Sequence, residues 1–253
     1  MAEKQSVSAI SARNISAGYA EQIVIRDISF EIPKGEVFAI MGRSGCGKTT
    51  LFKVMVGLLK PLKGEIYYGA SKMEPISENP QLGILRKLGV LFQGGALFSS
   101  MTIADNVALP LRQLTSLSKD VIKELVYLKL DLVGLSDSAR KLPDELSGGM
   151  KKRAALARAL ALDPEILFFD EPSTGLDPLT SAELDQTILN INSSIRTTIV
   201  VITHELRSAF AIADRAILLD PVDKTVIAQG PPQELRDCST DQRVRNFFQG
   251  HGG

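Results

Sequence analysis

Gly42-Arg43-Ser44-Gly45-Cys46-Gly47-Lys48-Thr49-Thr50 decides how this chain reads, because it is G-x-x-x-x-G-K-[ST] without substitution. The run from Glu36 to Met41 before it is apolar after its first residue and predicts a buried strand. Leu51 to Gly57 after it predicts a helix that a glycine can end. Strand, glycine-rich loop and helix is the context that turns this pattern into a phosphate-binding site. The glycines let the backbone curl until its N–H groups point inward, and the helix N-terminus adds partial positive charge. Lys48 is expected to reach the β- and γ-phosphates of a nucleotide, and the Thr49 hydroxyl to bind Mg²⁺.

A second stretch supplies carboxylates. Ile166-Leu167-Phe168-Phe169 is apolar and is followed by Asp170 and Glu171. A buried parallel strand ending in acids puts both at the carboxyl end of its sheet, beside the phosphate loop. Asp170 would hold Mg²⁺, indirectly or through water. Glu171 would face the γ-phosphate and accept a proton from the attacking water. A strand from Thr197 to Ile202 ends at Thr203-His204, which brings His204 to the same edge, within reach of the γ-phosphate or of water. The other histidine, His251, lies in a glycine-rich tail expected to be disordered. No Ser-His-Asp, zinc or haem spacing is present.

Further strands are expected at Ala9–Asn14 and Ile23–Ile32 around a turn at Ala17-Gly18-Tyr19, at Glu65–Tyr68, and at Lys87–Phe92 ending at Gln93. A hairpin is expected across Pro221–Lys224. Ser71–Pro80 reads as a surface loop. Tyr19 in its turn either covers a sheet edge or offers a flat ring to adenine. Between Met101 and about Leu162 the pattern becomes helical, with Thr102, Ser118 and Ser147 as N-caps and Gly134 as a terminator. The stripe Val121, Leu125, Leu128 and Leu132 is expected to pack in the core. A helix after Thr180 carries Leu184, Ile188 and Ile191 on one face. Short helices are expected at Glu205–Ala213 and Val244–Phe248. Strands alternating with helices imply an α/β fold whose parallel sheet is covered on both faces.

Composition narrows the class. The 253 residues can bury an ample core, and Lys+Arg equals Asp+Glu at 29 each, so no global field suggests nucleic acid or anionic lipid. Two cysteines, Cys46 and Cys238, fit free thiols in a reducing compartment. Met1 to Ile10 lacks the pattern of a secretory leader, and no apolar run approaches the roughly 18–20 residues that span a bilayer. Work at a membrane would therefore require another chain. Lys151-Lys152-Arg153 reads as a solvated helix face.

Leu146-Ser147-Gly148-Gly149-Met150 is a second anion-binding signal, with a serine N-cap and two glycines exposing N–H groups at a helix start. One triphosphate does not need two such sites in one chain. A two-fold dimer, in which each second site closes over the partner's nucleotide, is the economical solution.

Together these motifs, in this order, resemble the nucleotide-binding subunit of an ABC transporter over essentially the whole chain. The resemblance implies an ATPase with a P-loop NTPase (RecA-like) core, an antiparallel β subdomain and an inserted α-helical signature subdomain. The single domain would divide at 1–100, 101–162 and 163–253. It implies Tyr19 as the adenine-stacking aromatic, Gly42 to Thr50 as Walker A, and Gln93 as the Q-loop residue sensing Mg²⁺ or water and the permease. Leu146 to Met150 is then the signature, with Ser147, Gly148 and Gly149 on the partner's nucleotide. Phe168 to Glu171 ends Walker B, Ser173 to Asp177 is the D-loop, and His204 is the switch histidine. ATP and Mg²⁺ are the implied ligands.

Met150 stands where the family usually has Gln. With Leu91 to Phe98 and Asp241 to Phe248, it resembles the Mla/Mce-type ATPases, which energise phospholipid traffic between the membranes of diderm bacteria. That resemblance implies a second copy of the chain, an integral permease, and MCE-domain and STAS-domain proteins. It also implies a place on the cytoplasmic face of the inner membrane. The alternatives are an importer of a small polar solute, a lipoprotein-release system, a non-transport ABC ATPase, and a nucleotide-dependent switch without turnover. Glu171 and His204 argue against the last. The absence of a second cassette, long coiled coil or zinc module argues against the non-transport class.

Overall fold

The structure is a computed structural model that describes residues 8–20, 22–78 and 81–250. His251, and Asn79-Pro80 at the end of the expected surface loop, lie outside these. Strands β1 (Ser8–Tyr19) and β2 (Gln22–Pro33) form a hairpin, and β3 (Val37–Gly42) leads through the phosphate loop into α1 (Lys48–Met55). Next come β4 (Lys63–Tyr68), β5 (Ser71–Lys72), α2 (Leu82–Leu85) and β6 (Leu88–Leu91). The helical stretch holds α3 (Ile103–Leu114), α4 (Lys119–Leu132) and α5 (Gly148–Ala159). The chain continues through β7 (Ile166–Asp170), α6 (Pro178–Ile195), β8 (Thr198–Thr203), α7 (Leu206–Ile212), β9 (Arg215–Leu219), β10 (Val226–Gly230), α8 (Pro232–Cys238) and α9 (Gln242–Phe248).

One sheet is antiparallel, in the order β2-β1-β4-β5, and the other runs β10-β9-β3-β8-β7-β6. In the second sheet β9, β3, β8, β7 and β6 are parallel and β10 returns antiparallel to β9. Its central strands are buried on both faces. Phe168, Val200 and Ile202 enter the core shared with α1 and the antiparallel sheet, whereas Leu167, Phe169, Ile199 and Val201 enter the core shared with the long helices. This is the period-2 alternation of a sheet sandwiched between layers.

Aromatic packing ties the phosphate loop to the rest. Phe52 of α1 meets Phe168 of β7 edge-on at 6.3 Å and Phe92 at 5.8 Å, and Tyr68 of β4 meets Phe168 at 6.5 Å. Each such pair contributes roughly 0.5–1.5 kcal/mol beyond burial. The Tyr68 hydroxyl donates to Met55 O, anchoring the end of α1. The helix after the phosphate loop, the acid-bearing strand and the antiparallel sheet thus share one cluster.

Four expectations need correction. First, β1 runs on through Gly18 to Tyr19, so Tyr19 ends a strand instead of sitting in a turn. Irregular register with β2 carries the strand past the expected stop. Second, α4 buries Ile122, Val126, Lys129 and Leu130, while Val121, Leu128 and Leu132 are exposed, Leu128 to 54%. The helix carries two apolar stripes side by side, and Lys129 on the second one disguised it. Its ammonium reaches Asp163 from a buried stem. Third, the expected surface loop begins with strand β5 and buries Met73. Fourth, α8 was not foreseen, and α9 begins at Gln242, ahead of the expected Val244. The dipeptide Pro231-Pro232 starts α8 with proline in the first turn, where a missing N–H costs nothing. The caps at Thr102, Ser118 and Ser147 form as expected. No helix among the described residues is long and apolar enough to cross a membrane.

Candidate nucleotide site

Because β3, β6, β7 and β8 run the same way, the segments that follow them emerge at one edge. The phosphate loop follows β3, Gln93 follows β6, Glu171 follows β7 and His204 follows β8. Between them opens a cleft of about 550 Å³ lined by Tyr19, Val24, Ser44, Gly45, Gly47, Lys48, Thr49, Thr50, Gln93, Glu171 and His204. A hollow of about 600 Å³ lies at the opposite, amino ends of β6, β7 and β8. There Lys87 is paired with Glu165 at 2.8 Å.

Gly47 caps α1 with φ of 103°, and a Cβ there would fall 2.3 Å from Ile25 Cγ2. Both conformation and space demand glycine at this point. The Lys48 ammonium donates to Gly42 O at 2.8 Å and Arg43 O at 3.1 Å and lies 4.0 Å from Glu171 Oε1. Gly42 and the Cys46 side chain are turned into the core, where burial pushes the thiol pKa up. Arg43 borders a separate hollow beside Leu219, Asp220 and Arg243. Gly42, Arg43 and Cys46 do not line the cleft, and the Cys46 N–H is bonded to Arg43 O at 3.2 Å.

Glu171 has left-handed backbone, φ 49°, an uncommon and strained conformation for a residue with a side chain. Its N–H still pairs with Ile202 O at 2.8 Å, so the turn away from the strand begins within the ladder. His204 Nδ1 lies 2.9 and 2.8 Å from the two Glu171 oxygens. A carboxylate only accepts, so Nδ1 carries the proton and Nε2 is left to face the cleft. Thr174 adds a hydroxyl donor at 3.3 Å.

Asp170 lies one residue deeper. Its Oδ1 is buried without a hydrogen-bond partner. Burial, reinforced by the neighbouring Glu171 charge, pushes its carboxyl pKa up against the pull of Lys152, Lys48 and Lys53. A buried, unsatisfied carboxylate oxygen is costly unless something of positive charge completes it. The exposed Thr49 hydroxyl and the Gln93 amide line the cleft, whereas Asp170 does not, and together the three would offer oxygen donors of the kind Mg²⁺ prefers. Among the described residues no cluster of three or more His, Cys, Asp or Glu could cage a metal alone.

Ser147, Gly148, Gly149 and Asp177 do not line this cleft. Ser147 caps α5 by accepting from Met150 N, and a Cβ on Gly149 would strike Thr180 Cγ2 at 2.3 Å. Asp177 caps α6, accepting from Leu179 N and Thr180 N at 3.0 Å and from the Thr180 hydroxyl at 2.6 Å. These bonds, the Thr180 hydroxyl first, hold its pKa down. Ser147, Gly148 and Asp177 are exposed away from the cleft, and Gly149 is buried beneath them against Thr180.

Sequence reasoning missed three neighbours. Val24 lines the cleft. Lys53 places its ammonium 5.5 Å from the centre of the Tyr19 ring and 3.3 Å from its hydroxyl. Lys152, expected on a solvated face, is only 8% exposed and donates to Gln93 O. No local pattern marked Lys53 or Lys152, since helix faces are shared at i+3 and i+4 and Lys53 is neither to Lys48.

A protein-family model described as ABC transporter matches residues 25–174. The chain is 40% identical over 248 residues to "Intermembrane phospholipid transport system ATP-binding protein MlaF" of Escherichia coli K12, covering 98% of this chain and 91% of that protein. It is also 40% identical to "Probable ribonucleotide transport ATP-binding protein mkl" of Mycobacterium leprae, covering 96% of this chain and 69% of that one. Among solved structures it is similar to the dimeric, post-hydrolysis ATP-binding cassette MJ0796 bound to ADP and Pi. The TM-score is 0.78 at 30% identity, covering 88% of this chain and 98% of that one.

Proposed function

We propose, from the premise that this chain belongs to the ABC transporter family, that its ATP hydrolysis drives phospholipid through a membrane permease. The observation that carries the ATPase half is the convergence of Lys48, Gln93, Glu171 and His204 on one cleft beneath a phosphate loop. The phospholipid half is supported by the likeness to the Escherichia coli protein over nearly the full length of both chains.

In this reading, residues 1–100 and 163–253 make the RecA-like core with its antiparallel β subdomain, and 101–162 the helical signature subdomain. The loop N–H groups of 42–50 cradle the phosphates of ATP, with Ser44, Gly45 and Thr50 beside them, and Lys48 swings from its own loop carbonyls to the β- and γ-phosphates. Asp170, Thr49 and Gln93 would hold Mg²⁺, which supplies charge neutralisation on the phosphates. Glu171 accepts a proton from water, and His204, oriented through Nδ1, offers Nε2 to the γ-phosphate. Ser147, Gly148, Gly149 and Asp177 act on the nucleotide of a second copy. Their separation from the chain's own cleft supports that role, as does the dimeric state of the similar cassette.

The Tyr19 ring is 46% exposed at the cleft rim, and it is assigned to adenine. Tyr19→Ala is expected to weaken ATP binding by about 1–3 kcal/mol, the range for base stacking, measured by titration with a fluorescent ATP analogue. Tyr19→Phe keeps the ring and should be nearly silent. Equal losses in both variants would assign the hydroxyl instead.

Coupling to the permease is placed on the loop after Gln93. Phe98 is 50% exposed, whereas Leu97 packs against the helical core. Phe98→Asp is therefore expected to cost roughly 2 kcal/mol or more in permease binding, as buried aromatic anchors do, while isolated ATP binding persists. Leu97→Asp should lower stability and is no clean test. Pull-down with the permease and ATP titration measure the two effects.

The chain sits, in this reading, at the cytoplasmic face of an inner membrane and touches the bilayer only through the permease. An MCE-domain protein and a STAS-domain regulator belong to the same assembly. Equal numbers of acidic and basic residues support the absence of a nucleic-acid partner. The test is ATPase activity with and without the co-purified membrane complex, together with ATP-dependent lipid transfer between proteoliposomes. A complex that moves only a polar solute removes the phospholipid assignment. The naming of the Mycobacterium leprae relative makes ribonucleotides the first solute to try. Co-purification with ribosomes or DNA and no membrane protein removes transport altogether.

A further inference from the structure

The segment between β6 and α3 is held almost entirely by helices. The Arg158 guanidinium of α5 donates to Gly95 O at 2.8 Å and Ala96 O at 2.7 Å. Asn106 of α3, fully buried, donates to Phe98 O, Met101 O and Thr102 O at 3.1, 3.2 and 3.0 Å and accepts from Phe98 N at 2.8 Å. Lys152 of α5 donates to Gln93 O, at the point where this segment meets the cleft. Residues 93–102 therefore belong mechanically to the helical layer, and Lys152 is the contact nearest the sheet edge.

Lys152 is also a charge inside the site. It is 8% exposed, which by itself opposes an ammonium. Burial holds its pKa down, and the attraction of Asp170 and Glu171 opposes that shift without cancelling it. The other cations facing those two carboxylates are Lys48, folded onto its own loop, and Lys53, over Tyr19. His204 faces Glu171 as well. Asp170 Oδ1 nevertheless keeps no hydrogen-bond partner, so Lys152 acts on it through space and not through a bond.

We infer that Lys152 is a positioning residue that counterbalances the Asp170–Glu171 charge and competes with a divalent cation there, linking metal occupancy to the grip of the helical layer on Gln93. The inference rests on the assignment of Asp170 to Mg²⁺. A dication beside Asp170 turns the surroundings of Lys152 from attractive toward repulsive, whatever nucleotide is already present. The cost falls on the contact that ties α5 to Gln93. By reciprocity, an ammonium that is disfavoured by the cation also weakens the binding of that cation.

The experiment titrates Mg²⁺ into the full-length protein saturated with a non-hydrolysable fluorescent ATP analogue. Lys152→Gln keeps a donor toward Gln93 O and removes only the charge, Lys152→Met removes both, and Lys152→Arg keeps the charge. The Gln and Met variants are expected to reach half-saturation at Mg²⁺ concentrations lower by about 5–150-fold, the usual range of coupling between sites. The Arg variant should stay near the parent. Hydrogen exchange of residues 93–102 should become less sensitive to Mg²⁺ in the Gln variant than in the parent. A merely structural lysine would weaken analogue binding with and without Mg²⁺ alike, and that outcome overturns the inference. So does an Arg variant that behaves as Met does. Asp170→Asn separates the two layers: if it leaves the Mg²⁺ requirement unchanged, the metal assignment fails. If it raises the requirement while Lys152→Gln leaves it unmoved, only the Lys152 inference fails.

Discussion

Glu171→Gln is expected to retain ATP binding and to lose roughly 10²–10⁴ in hydrolysis rate, about 3–5 kcal/mol of barrier. The substitution preserves size, and the amide oxygen can still accept from His204 Nδ1, which lies 2.8 Å from the present carboxylate. What disappears is an oxygen basic enough to take a proton from water. The left-handed backbone at Glu171 is a second reason to expect a specific role, because such a conformation persists only where its surroundings enforce it. Slow turnover should then accumulate an ATP-bound dimer, visible by size-exclusion chromatography. Near-normal turnover would move the base to another group.

Gly148→Asp is expected to abolish hydrolysis to background, a loss of at least about 10²-fold, comparable to removing donors that meet developing charge. Within its own chain the new side chain is harmless. A Cβ at Gly148 has Leu176 Cδ2 as its nearest neighbour at 3.7 Å, and an acid in the first turn of α5 suits the helix dipole. Gly149, which would collide with Thr180, offers no such clean test. Any loss in Gly148→Asp therefore reports on a phosphate approaching from outside the chain. Monomer binding of ATP should be unchanged. Mixed dimers of Gly148→Asp with Lys48→Ala contain one composite site with both halves intact, so mixing two dead proteins should restore activity. Hydrolysis that stays linear in protein concentration down to the monomer range would remove the shared-site reading.

The contrast between Phe98 and Leu97 shows where reading from sequence stops. Both are apolar, adjacent and in a loop, so neither periodicity nor propensity separates them. Their fates are set by the helices that arrive later in the chain, with Leu97 against the helical core and Phe98 left in solvent. The same holds for α4. Two apolar stripes share one helix, and the choice between them was made by what α3 and α5 present to it. A buried lysine on the chosen stripe made it look like the solvent face.

What the sequence determined by itself is local. The strand, loop and helix around Gly47-Lys48 and the caps at Thr102, Ser118 and Ser147 depend on hydrogen bonds or backbone angles spanning a few residues, and short-range patterns encode those directly. The carboxylates at the end of β7 were legible for the same reason, since an apolar run that stops at acids marks a strand end. The tertiary structure decided the strand order β9-β3-β8-β7-β6, which sets Gln93, Glu171 and His204 around Lys48 from segments far apart in the chain. It also decided that Lys152 is buried against Gln93 and that Lys53 meets Tyr19. Those placements follow from how layers pack and from charges meeting across them, energies that accrue only once distant segments are side by side.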